Sequence, residues 1–124
     1  MKFATFVVLC ALLSVTSASA QHNHQHKGQH GGVVVDAGDY HVEMVAKDAT
    51  VEIHVSDNDN KPVSITGYKG VAILSVAGKS HRIVLEPADS SRLSGKASGA
   101  LPAQPKGVVQ ITPPGGKTFQ ARFN

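Results

Sequence analysis

The sequence predicts an all-β protein, a small antiparallel β-sandwich or barrel of about seven strands. Short runs rich in Val, Ile, Thr and Phe recur along the chain, and clusters of Gly, Pro, Asn and Asp separate them. No segment repeats its apolar residues with the period of an amphipathic helix, about 3.6 residues. Short strands with a turn signal about every 8–12 residues are typical of antiparallel sandwiches and barrels.

The first 20 residues have the features of a secretory signal peptide. Residues 3–15 are nearly all apolar, and the segment ends in a small-x-small cleavage signature at Ala20. The apolar run is shorter than the roughly 20 residues of a membrane-spanning helix, so we expect no stable membrane insertion. A retained N-terminal anchor is the alternative. Cleavage after Ala20 would export the protein, most simply to a bacterial periplasm, and would remove Cys10, the single cysteine.

Residues 21–32 form a polar arm of His, Gln and Gly, which we expect to be flexible because it has nothing apolar to bury. The arm carries four of the seven histidines of the chain. Neutral imidazole is the commonest protein ligand for borderline transition metals, and copper and zinc are the foremost candidates. The composition therefore predicts metal capture by His22, His24, His26 and His30. The alternative is a solvated arm that only aids solubility.

The remaining residues, 33–124, are enough for one small domain. A short edge strand is expected at Arg92-Leu93, and Pro102 and Pro105 indicate a loop over residues 97–106. The apolar or alternating runs that predict the main strands are residues 33–35, 40–46, 50–56, 71–77, 81–86, 107–112 and 118–123.

The register of the first long hairpin can be predicted from its apolar pattern. A turn at Asp48-Ala49 pairs Glu43 with His54 and Met44 with Ile53. A slip of one residue would put the polar side chains into the core, so the pattern specifies the register strongly. The apolar face then consists of Val42, Met44, Ala46, Val51, Ile53 and Val55.

The opposite face of this hairpin carries His41, Glu43, Glu52 and His54. Directly opposed side chains on neighbouring strands have Cβ atoms about 5 Å apart. Two imidazoles and a carboxylate on a rigid sheet suit Zn²⁺ or Cu²⁺. We therefore predict a metal site of His41, Glu43 and His54, which His30 would complete if the arm folds back across this face. The alternative is a solvent-exposed face with an ion pair between Glu43 and His54.

A second hairpin is predicted with its turn at Gly78-Lys79. This turn pairs Leu74 with Ile83 and Ala72 with Leu85, and it places these four apolar side chains on one face of the hairpin. The other face of the hairpin is expected to be exposed to solvent.

Composition and motifs argue against several classes of function. The formal net charge is only +3, Trp is absent and aromatic residues make up 5% of the chain, so neither a basic stripe nor a stacking surface for nucleic acid is indicated. The sequence has no Gly-x-Ser-x-Gly elbow and no phosphate-binding loop. We therefore expect no enzymatic activity. The remaining enzyme hypothesis is an open metal position beside Glu43 or Glu52.

Three motifs follow one another in a fixed order: His30-Gly31-Gly32-Val33-Val34, then residues 40–47 (YHVEMVAK), then residues 57–63 (DNDNKPV). Together they resemble a group of small bacterial periplasmic proteins, and segments that precede the adaptor subunits of heavy-metal efflux pumps of the resistance-nodulation-division class. The resemblance spans about residues 30–96. It implies a β-rich, periplasmic, metal-associated domain, in which His30 and Glu43 match the most recognisable polar residues of the group, and an efflux-pump adaptor as a partner.

Two hypotheses about function follow from these observations. The first is a periplasmic protein that binds copper or zinc and buffers or delivers it in heavy-metal homeostasis or efflux. Because an imidazole must be neutral to bind a metal, its affinity should collapse below about pH 6. The second is a non-enzymatic β-sandwich module of the cell envelope that docks a protein partner, with the histidine-rich arm incidental.

Overall fold

The computed structural model describes residues 25–124, and all regular secondary structure within that range is β. The predicted signal peptide and two predicted ligands, His22 and His24, lie outside the described residues. The strands are β1 (His26–Lys27), β2 (Val33–Ala37), β3 (Tyr40–Lys47), β4 (Thr50–Asp57), β5 (Lys69–Val76), β6 (Lys79–Pro87), β7 (Leu93–Lys96), β8 (Lys106–Thr112) and β9 (Phe119–Phe123).

These strands form one antiparallel sheet in the order β1-β2-β3-β4-β7-β6-β5-β8-β9, which confirms the predicted all-β class. The sheet curls into a half-barrel, so that β9 packs near β2 although the two strands are not hydrogen-bonded neighbours. Tyr40 of β3 stacks on Phe119 of β9 across this gap, with ring centroids 4.7 Å apart. Within residues 25–124 there is no helix that could cross a membrane.

The concave side of the curled sheet holds the hydrophobic core. Alternate residues of each long strand point to this side, and burying their apolar surface is the main favourable contribution to folding. The buried apolar residues are Val35, Ala37, Val42, Met44, Val51, Ile53, Val55, Ile65, Ala72, Leu74, Ile83, Leu85, Leu93, Val109, Ile111, Ala121 and Phe123.

The predicted register of the β3–β4 hairpin is confirmed. Glu43 lies opposite His54 and Met44 lies opposite Ile53, as the apolar pattern requires. The turn residue Asp48 has a φ of +53°, a left-handed conformation that Asp tolerates better than most residues. The side of the hairpin that carries Glu43 and His54 therefore faces away from the core.

A further hairpin joins β2 and β3 through a tight turn at Gly38, whose φ is +61°. Glycine adopts this conformation without the steric cost that a Cβ would bring. The turn sets Ala37 opposite Tyr40 and Asp36 opposite His41. The carboxylate of Asp36, a residue not predicted to belong to the site, thus lies beside the predicted ligand His41.

The predicted register of the β5–β6 hairpin is wrong by two residues. Leu74 lies opposite His81 rather than Ile83, because the turn is at Ala77-Gly78, one position earlier than predicted. Both turn residues have positive φ, +50° and +78°, as a type I′ turn requires. A shift of two residues preserves which side chains face the core, so the predicted apolar face is retained.

The strand expected at the edge near Arg92-Leu93 is instead internal. β7 lies between β4 and β6 and pairs with both. Gly95 fits there because a Cβ at this position would collide with the backbone carbonyl oxygen of Val84. The sequence did not predict this placement, because the strand is short and one of its two neighbours, β4, is distant in the chain.

The last part of the predicted flexible arm has a defined conformation. His26 and Lys27 form β1, which pairs with Val34 and Val33 at the edge of the sheet. The following loop closes with a hydrogen bond of 2.9 Å from the Gly28 amide to the Gly32 carbonyl. The arm therefore joins the edge of the sheet at His26–Lys27, and its loop then folds over β3.

The type I′ turn of the β5–β6 hairpin yields a prediction about stability. Ala77 is held at a φ of +50°, which costs an L-residue with an ordinary side chain about 1–2 kcal/mol, whereas Asn adopts it readily. We expect Ala77→Asn to raise the free energy of unfolding by about 0.5–1 kcal/mol, measured by urea denaturation. Ala100→Asn, in an exposed loop without positive φ, is the matched control and should change little. Equal effects of the two substitutions would contradict the turn assignment.

Candidate functional site

Glu43 is the one buried charged residue within residues 25–124, and only 5% of its surface is exposed. It lies in the middle of β3 on the side facing away from the core, where an exposed side chain would be expected from the hairpin pattern. Burying a carboxylate without partners would cost several kcal/mol, as an order of magnitude. The loop of residues 28–32 covers it and supplies those partners.

Four donor contacts surround the Glu43 carboxylate. The backbone N–H of His30 donates to both oxygens, at 3.2 Å to Oε1 and 3.0 Å to Oε2, and the N–H of Gly32 donates to Oε2 at 2.9 Å. Nδ1 of the His30 ring lies 2.8 Å from Oε1. Both carboxylate oxygens are therefore occupied by the loop.

Glycines allow the loop to approach this closely. A Cβ on Gly28 would occupy the position of the Glu43 carboxyl group, and a Cβ on Gly32 would collide with the backbone carbonyl of Met44. Gly28 and Gly32 thus have a steric reason, because the backbone must lie directly on β3 at these positions. Gly31 has a φ of +81°, a left-handed conformation that glycine adopts readily.

The hydrogen bonds determine the charge of Glu43. Burial by itself raises the pKa of this carboxyl, but the hydrogen bonds from the His30 ring and from the Gly32 and His30 amides outweigh burial and lower the pKa below its ordinary value of 4.5. Glu43 is therefore ionised at neutral pH and acts only as an acceptor.

His54 lies flat beneath His30. The two imidazole rings are stacked, with centroids 3.7 Å apart and an angle of 5° between their planes. Burial and the proximity of His30 lower the pKa of His54 below 6.5, although Glu43 and Glu52 partly oppose them. Its Nε2 is buried without a hydrogen bond, and the Glu52 carboxylate is 3.6 Å away, too far for one. His54 is thus uncharged at neutral pH, and its ring packs against the ring of His30.

His41 has a partner of its own. Its Nδ1 lies 2.7 Å from Oδ1 of Asp36, directly across the β2–β3 pair. The His41 side chain is 23% exposed and that of Asp36 is 49% exposed. His54, which lies diagonally opposite His41 on β4, stacks against His30 instead.

One pocket of about 360 Å³ unites these groups. Four histidines line it: His26, His30, His41 and His54. The loop that follows β4 and the segment before β7 complete it with Asn60, Pro62 and Ser91. Four of the seven histidines of the chain therefore border a single cavity.

Only part of the predicted sheet site comes together in the described residues. His30 does fold across the face of β3 and β4, but within residues 25–124 no three His, Cys, Asp or Glu side chains converge as a metal-binding group. Glu43 is bound to the loop, and it makes no ion pair with His54 in the described structure. Asp36 was not predicted from the sequence, although the register of the Gly38 hairpin places it opposite His41.

Comparison with known proteins gives no assignment. No protein-family model, no curated protein and no solved structure matches this chain. The function must therefore be inferred from the site itself.

The buried Glu43 carboxylate predicts a specific dependence of stability on pH. Because its pKa is lowered by folding, the stabilisation is present above about pH 4.5 and is lost as the pH falls through the folded-state pKa. The lowered pKa of His54 removes stability earlier, just below pH 6.5, because the unfolded chain then binds the proton more readily. We expect Glu43→Gln to lower the free energy of unfolding at pH 7 by about 1.5–3 kcal/mol and to flatten its decline below pH 4.5.

Urea denaturation between pH 3 and pH 7.5 tests this expectation. Glu86→Gln, on the exposed face of β6, is the matched control and should leave both stability and its pH dependence nearly unchanged. A Glu43→Gln variant as stable as the wild type at pH 7 would show that the loop does not depend on the carboxylate.

Proposed function

We propose that this protein is exported to the periplasm and binds copper or zinc there through its histidines, buffering the metal or delivering it in heavy-metal homeostasis or efflux. One observation supports the proposal above all: one pocket is bordered by four histidines, His26, His30, His41 and His54. The chain that leads into this pocket carries two more, His22 and His24. Imidazole nitrogen is a ligand that suits both Cu²⁺ and Zn²⁺.

The state of the imidazoles supports the same chemistry. A metal binds the neutral form of an imidazole, and the ring of His54, whose pKa is lowered by burial, places no positive charge beneath the ring of His30. In this proposal Glu43 is not a ligand, because both of its oxygens hold the loop. It acts instead by fixing the position of His30 over the pocket. The resemblance to segments that precede efflux-pump adaptors makes such an adaptor the proposed partner.

The ligands are divided between the pocket and the arm. The pocket contributes His30 and His41 on fixed backbone, whereas His22 and His24 precede the described residues. The pocket residues alone do not form a group of three ligands, so additional donors from the arm would complete the coordination. Ordering a polar arm on binding costs conformational entropy, which predicts moderate affinity.

Isothermal titration of the purified protein with Cu²⁺, Zn²⁺ and Ni²⁺ at pH 7.5 tests the proposal. We expect one site of moderate affinity for Cu²⁺ or Zn²⁺ in the wild type, and a loss of affinity of about 10–100-fold in both His22→Ala/His24→Ala and His30→Ala/His41→Ala. His81→Ala, on β6 and outside the pocket, is the matched control and should bind as the wild type does.

The pH dependence gives an independent check. Protons compete with the metal for the imidazole nitrogens, so the apparent affinity should fall between pH 7.5 and pH 5.5. Absence of binding tighter than about 100 μM for all three metals at pH 7.5 would refute the proposed function.

A further inference from the structure

Two histidines of the pocket share one arrangement with a carboxylate. Nδ1 of His41 lies 2.7 Å from Asp36, and Nδ1 of His30 lies 2.8 Å from Glu43. Asp36 lies opposite His41, and Glu43 lies two residues beyond His41 on β3. The two carboxylate–histidine pairs are therefore neighbours on the same face of the sheet. Both histidines border the same cavity.

The carboxylates determine which nitrogen of each ring carries the proton. An ionised carboxylate can only accept a hydrogen bond, so Nδ1 must be the donor in both pairs. In the neutral ring the lone pair is then on Nε2. Within residues 25–124, Nε2 of neither His30 nor His41 takes part in a hydrogen bond. Each ring is therefore held in the tautomer that can bind a metal through Nε2.

We propose that His30 and His41 bind the metal as a pair of Nε2 ligands, and that Asp36 and Glu43 are positioning residues that fix their tautomer and orientation. This inference rests on the proposed function and specifies its site. A histidine that ligates a metal usually donates its other ring N–H to a carboxylate or carbonyl, and loss of that partner typically weakens metal affinity by about 10–100-fold. His54, stacked under His30 with its Nε2 buried, supports the ring and is not a ligand.

Asp36 is the better residue to test, because its carboxylate is half exposed and the fold does not depend on it as it does on Glu43. We expect Asp36→Ala to weaken Zn²⁺ binding by about 10–100-fold. Asp36→Asn retains an acceptor oxygen without the charge and should bind with intermediate affinity. Asp39→Ala, an exposed substitution in the adjoining turn, is the matched control and should bind Zn²⁺ as the wild type does.

Nuclear magnetic resonance of the metal-free protein provides a readout that a purely structural role of Asp36 would not change. Long-range correlations between ring protons and ring nitrogens at pH 8 should show the His41 proton on Nδ1 in the wild type and in Asp39→Ala, with the Nε2–H form gaining population in Asp36→Ala. Addition of Zn²⁺ should shift the Nε2 resonances of His30 and His41.

The possible outcomes separate this inference from the proposed function. A wild-type protein that binds no metal overturns the proposed function, and this inference with it. Tight metal binding that Asp36→Ala leaves unchanged, or a His41 proton on Nε2 in the wild type, overturns the positioning role alone. Loss of affinity together with the change of tautomer supports it.

Discussion

The burial of the Glu43 carboxylate under a loop of the same chain is the interaction on which the rest of the site depends. An ionised group with 5% exposure is stable only when its oxygens are fully hydrogen-bonded, and the loop of residues 28–32 supplies both amide donors and the His30 ring. The same contacts that stabilise the charge fix the loop. One electrostatic requirement therefore positions β1, His30 and the wall of the pocket.

The outer face of the sheet is consequently not an ordinary solvent-exposed face. On a half-exposed antiparallel sheet, polar residues usually alternate outward into water. Here the outward residues of β3 and β4 have specific partners: His41 binds Asp36, Glu43 binds the loop and His54 stacks under His30. These polar side chains line the wall of the histidine pocket, while the concave side of the same strands packs into the hydrophobic core.

Local chemistry explains where sequence reasoning succeeded and where it failed. The β3–β4 register followed from a two-residue period that only one pairing satisfies. The β5–β6 register could not be fixed in the same way, because a shift of two residues leaves the buried set unchanged and only the turn distinguishes the alternatives. That turn places Ala77 at positive φ, a conformation that an alanine side chain does not favour. The residues of the turn therefore did not indicate its position in the sequence.

The sequence by itself determined the all-β class, the seven main strands, the inward faces and the concentration of imidazoles near the start of the chain, because these depend on composition and on periodicity within a few residues. It did not predict β1, which lies in the arm that was expected to be flexible. Only the tertiary structure decided that β7 is internal and that the loop of residues 28–32 binds the Glu43 carboxylate. Each of these depends on contacts between separate strands or across turns. Their geometry is set by the curl of the whole sheet and by where the backbone comes close enough to donate a hydrogen bond, and a linear pattern does not contain that information.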